Sequence, residues 1–89
     1  MNKKEFEDTT TNCGCTFREY SERGWNSVVE YNGKVLAFVS YNKLDNEYSV
    51  FFRDRYLKWY QTFPYFRYNN IVSTKEYRKK LLKVVNQNR

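Results

Sequence analysis

Asn32-Gly33 constrains this chain more tightly than any other pair of residues in it. The dipeptide interrupts a run of β-branched and aromatic residues. A two-residue type I′ turn requires positive φ at both central positions, which Asn followed by Gly supplies. A hairpin with Tyr31 opposite Lys34 follows, and with it a register. Strict alternation predicts one face made of Trp25, Val29, Tyr31, Leu36 and Phe38, and another made of Val28, Glu30, Val35, Ala37, Val39 and Tyr41. A second turn over Asn42–Asn46 returns a third run, which adds Tyr48, Val50 and Phe52 to the first face and Phe51 to the second. Trp25–Arg53 therefore reads as a three-stranded antiparallel meander.

The end of the chain carries the next clear signal. Ser73-Thr74-Lys75-Glu76 has the S-x-x-E form of a capping box, and Tyr77, Leu81, Val84 and Val85 follow at helical spacing. The pattern predicts a helix from Thr74 to about Asn86, packed on one face of the sheet. Lys75, Lys79 and Lys83 stack on a different side of it, with Lys80 at the margin, and Lys83 and Arg89 are expected to complement the negative end of the helix dipole. Between sheet and helix, Asp54–Tyr68 is dense in aromatic residues and fits two periods. Tyr56, Trp59, Tyr60 and Phe63 suit a helical face with Asp54 as N-cap, whereas Leu57, Trp59, Gln61 and Phe63 would alternate along a fourth strand. The helical alternative, ended before Pro64, is preferred. Residues 1–16, with Phe6 as their one large apolar group, read as a flexible N-terminal arm, and Thr16–Arg23 as a short helix closed by Gly24. The expected fold is thus α+β: an arm over 1–16, then one small domain over 17–89.

Charge separates the ends of the molecule. Residues 1–24 carry four bases and five acids, residues 25–52 two and three, and residues 53–89 ten and two, which is −1, −1 and +8. Such asymmetry points to a polyanion or an acidic protein surface as partner. No apolar run approaches the length of a membrane span and no secretory leader pattern is present, so a cytoplasmic protein without membrane contact is expected. Cys13-Gly14-Cys15 invites a chemical explanation, but two Cys and no His fall short of the usual four zinc ligands. A disulfide between residues two apart would be strained, and neither a metal nor another cofactor is expected.

Function is expected in binding rather than in catalysis. The chain has no His, no phosphate-binding G-x-x-x-x-G-K-[ST], no G-x-S-x-G and no paired carboxylates outside Glu5, Glu7 and Asp8. Its working surface is expected to comprise the cations Arg53, Arg55, Lys58, Arg67, Lys75, Lys79 and Lys83, with Trp59, Tyr60 and Tyr65 as stacking or anchoring rings. Cations that track phosphates beside rings that stack on bases are the mixture that holds RNA or single-stranded DNA. Aromatic residues and Arg also anchor protein interfaces. The alternative is therefore a phage-type inhibitor that docks on an acidic or nucleic-acid-binding surface of a larger host protein. A composition rich in Lys, Asn, Tyr and Phe, with a single Ala and a single Pro, suits the AT-rich genomes of many phages. The second sheet face, with Val28, Val35, Val39, Tyr41 and Phe51, is expected to be covered by the aromatic segment or by a second copy in a homodimer.

In topology, a helix, three antiparallel strands and a helix with Lys75 and Arg78-Lys79-Lys80 near its start is similar to the double-stranded-RNA-binding domains, which implies recognition of RNA shape. A three-stranded sheet backed by a helix also resembles the AP2 and integrase arm-binding type, which implies a sheet that enters a DNA groove. Neither resemblance rests on a sequence motif, and fold analogy alone does not assign a function.

Overall fold

The Asn32-Gly33 turn forms as its residue types require. In the computed structural model, which describes residues 1–21, 24–53 and 71–89, Asn32 has φ 51° and Gly33 φ 80°. The elements in order are α1 (Lys3–Asn12), β1 (Thr16–Glu19), β2 (Ser27–Tyr31), β3 (Lys34–Asn42), β4 (Glu47–Phe52) and α2 (Thr74–Gln87). The class is α+β. Four antiparallel strands lie in the order β1-β2-β3-β4, and the C-terminal helix packs on one face of the sheet. The predicted meander is β2 to β4. A fourth strand is present, but it is Thr16–Glu19 at the opposite edge, where a short helix was expected. The choice between helix and strand for Asp54–Phe63 lies outside the described residues.

A β-bulge corrects the predicted faces. Tyr31 pairs with Lys34 and Glu30 with Val35, yet Val29 pairs with Ala37, so Leu36 is an extra residue on β3. Such an insertion shifts the alternation of the bulged strand by one place. Ala37 and Val39 therefore join Val29, Leu36 and Val50 in the helix-side core, with Tyr31, Tyr48 and Phe52 packed against it. Tyr41 follows them, because it pairs with Tyr48 across β3 and β4, with ring centroids 4.8 Å apart. Phe38 goes the other way: it pairs with Val28 and Phe51 on the far face, where Trp25 stacks on both Phe38 and Phe51. Val29, Ala37, Val39 and Val50 floor the middle of the side that receives two helices, with Tyr31, Tyr41, Tyr48 and Phe52 around them, while Trp25, Phe38 and Phe51 stack on the other.

Residues 1–16, expected to be a loosely held arm, instead contain helix α1. Asn2 and Glu5 form a full capping box: Glu5 N–H donates to Asn2 Oδ1 at 2.8 Å and Asn2 N–H to Glu5 Oε1 at 3.0 Å. The Phe6 ring is buried among Tyr48, Phe17 and Tyr77, at centroid distances of 5.3, 5.6 and 5.8 Å. Burying one such side chain is worth roughly 1.5–3 kcal/mol, enough to hold a ten-residue helix that is marginal by itself. Thr10 fixes the contact between the helices. Its hydroxyl donates to Phe6 O at 2.7 Å and lies 2.6 Å from the Tyr77 hydroxyl, which can donate to it in turn. Met1 adds a tie across the sheet margin, its nitrogen donating to Val72 O and its carbonyl accepting from Tyr48 N–H. Ile71 pairs with Val50 on the outer side of β4.

Candidate nucleic-acid interface

Helix α2 starts where the capping signal places it. Ser73 is the extended N-cap, and its Oγ accepts from Glu76 N–H at 3.4 Å. Tyr77, Leu81 and Val85 are buried against the sheet and α1, with Val84 beside them. Lys75, Lys79 and Lys83 form a second row, roughly 120–160° around the helix from the Tyr77 and Leu81 side chains at about 100° per residue. All three are exposed, as are Arg78 and Lys80 on either flank.

The charge on this helix is not balanced. Within Thr74–Gln87, five bases (Lys75, Arg78, Lys79, Lys80 and Lys83) face one acid, Glu76. The one ion pair among the described residues joins Arg18 to Glu30 on the far sheet face. Lys75 with Lys79 and Lys79 with Lys83 are like charges at i, i+4, while Lys75 with Arg78 and Lys80 with Lys83 are like charges at i, i+3. Each such pair disfavours a helix by about 0.2–0.5 kcal/mol, and Glu76, spaced i, i+4 from Lys80 but forming no ion pair with it, offsets little of this. Placement adds to the cost. Cations favour the C-terminal end of a helix, yet the last turn of α2 holds none. The expectation that Lys83 and Arg89 complement that end fails because the helix runs on to Gln87, leaving Lys83 short of the last turn and Arg89 beyond the Asn88 cap.

Of the predicted site residues, the structure brings Lys75, Lys79 and Lys83 into one exposed row. Arg53 is exposed just past β4, its N–H donating to Leu36 O at 2.8 Å, and the alternation of β4 puts it on the side of Phe51, away from α2. Arg55, Lys58, Trp59, Tyr60, Tyr65 and Arg67 lie outside the described residues. Arg78 belongs with the row although the predicted set omitted it. Its charge reaches Cys13 at the end of α1. Among the described residues no Phe, Tyr or Trp is exposed; the large apolar side chains left in water are Leu44, Val72 and Leu82.

The cysteine motif has a structural explanation. Gly14, at φ 80°, ends α1 in a Schellman motif, with Gly14 N–H donating to Thr11 O at 3.0 Å and Cys15 N–H to Thr10 O at 3.1 Å. Both thiols are free and buried in the helix-side core. Burial raises the Cys13 thiol, with Arg78 opposing weakly, and burial together with Cys13 pushes Cys15 up to about 11. Neither thiol is poised as a thiolate. Among the described residues no cluster of three metal-ligating side chains occurs, and no helix is long and apolar enough to cross a membrane.

No known protein family, curated protein or solved structure matches this chain. What α2 can do has to follow from its own chemistry.

Proposed function

We propose that this chain is a small, non-catalytic cytoplasmic protein that contacts nucleic acid, RNA or single-stranded DNA, through a basic surface in its last third. The observation behind the proposal is the outward side of α2: three exposed lysines one turn apart, flanked by Arg78 and Lys80, with no ion-pair partner among the described residues. Such a row suits phosphates, whose contacts supply most of the affinity of sequence-independent binding. Arg53 lies away from this row; in sequence Arg55, Lys58 and Arg67 add further cations, with Trp59, Tyr60 and Tyr65 as rings suited to stacking on unpaired bases.

Fluorescence anisotropy of labelled RNA and single-stranded DNA, titrated with the full chain at several salt concentrations, tests the proposal. Binding whose log affinity falls linearly with log salt supports it, and no binding at low salt overturns it. The same cations also suit an acidic surface on a larger host protein, and there the chain would act as a docking inhibitor. Capture from a host lysate before and after nuclease separates the two: a directly bound protein stays, whereas one bridged by nucleic acid is lost.

A further inference from the structure

We infer that α2 meets the sugar–phosphate backbone alone, laying Lys75, Lys79 and Lys83 along the phosphates of one strand without touching base edges. This rests on the nucleic-acid reading above and names what that helix recognises. Three observations carry it. The first is dimension: residues four apart on a helix rise about 6 Å and turn about 40°, so the row climbs about 12 Å between Lys75 and Lys83 while winding about 80° around the helix, as a strand crossing it obliquely would. The second is side-chain chemistry. Lysine is a compact point charge without the planar fork that reads a base by paired hydrogen bonds, and no described aromatic ring is exposed to stack from this side. Asn86, the next outward position, is the one amide in line with the row.

The third observation is electrostatic. The cations of α2 are set at i, i+3 and i, i+4 from one another, with a single acid, Glu76, on the helix. Helix stability does not explain that arrangement, and a bound polyanion relieves it. Opposite responses to salt follow. In the free protein, screening weakens the repulsion along α2 and stabilises the fold, whereas in the complex it weakens the contact.

The test compares the full-length wild type with a K75Q/K79Q/K83Q variant, using labelled oligonucleotides of several unrelated sequences across a salt series. Circular dichroism verifies that the variant keeps its helices. Loss of three phosphate contacts lowers the magnitude of the log affinity against log salt slope by about 2 to 3, at 0.7–0.9 per contact. The inference expects this loss to be equal for every sequence, and it expects N86A to shift no sequence preference. A K3Q/K4Q variant, which removes two exposed cations of α1, retains the wild-type slope. An unchanged slope in the triple variant, or a loss confined to some sequences, overturns the inference while leaving nucleic-acid binding intact. A wild type that binds none of the oligonucleotides overturns both.

Discussion

Helices α1 and α2 share one face of one sheet and touch each other through Thr10 and Tyr77, yet their charges follow opposite rules. In α1, Glu5 closes a capping box in the first turn, and two lysines meet three acids along its length. Backbone hydrogen bonding from Asn2 and a contact with Thr74 hold the Glu5 carboxyl below its ordinary value, as a stabilising charge at a helix N-terminus should be. In α2, five bases meet one acid and like charges stack along the outward row, while neither helix has a base in its last turn. Both helices bury an aromatic ring at their contact, so packing does not explain the difference. The comparison teaches that α1 carries mixed charges and is held by its cap and its buried Phe6, whereas α2 keeps a one-sign row that costs it some helix stability.

The contrast is sharpened first at the core. Phe6→Ala should cost about 3–5 kcal/mol in urea unfolding, because the ring it removes joins α1 to the sheet and to Tyr77. A loss near zero would mean that α1 is the loose arm its composition suggests. Alkaline titration follows in size. Folding raises the Cys13, Cys15, Tyr48 and Tyr77 groups, chiefly by burial, so the unfolded chain releases their protons first. Their stabilisation is complete below the unfolded thiol value near 9 and is lost as pH climbs through the folded value of about 11 for Cys15. Urea midpoints should therefore fall across that window, less steeply in a Cys15→Ala variant. Asn2→Ala removes half of the α1 capping box and should cost about 1 kcal/mol.

The smallest effect has the opposite sign. K75Q/K79Q/K83Q removes all four like-charge pairs, each worth about 0.2–0.5 kcal/mol, so thermal unfolding at low salt should show the variant as stable as the wild type or slightly more so. A clear loss of stability would mean that these lysines serve the fold, and the contrast between the helices would collapse.

Much of this architecture is legible in the chain itself, and the rest is hidden for identifiable reasons. Asn32-Gly33 and the Ser73 cap announce their elements because each depends on a few neighbouring residues. The bulge at Leu36 does not, since the pairing of β2 with β3 shows it and no local residue pattern does. Asn2-Lys3-Lys4-Glu5 already carried the cap of α1 and Gly14 its stop, but three successive threonines are poor helix formers and pull the reading toward a loop. Only the tertiary contact of Thr10 with Tyr77 shows why one of those threonines belongs there. For the candidate site, Lys75, Lys79 and Lys83 were visible from helical spacing, whereas their lack of an ion-pair partner among the described residues needed the packed structure.

Hydrogen exchange on the full chain, with and without a saturating oligonucleotide, addresses the contrast between the two helices most directly. Amides of Thr74–Gln87 should gain protection on binding, because the polyanion relieves the repulsion among the cations of α2, while Lys3–Asn12 should change little. Equal protection of both helices, or protection of α1 alone, would contradict the assignment of the binding charge to α2.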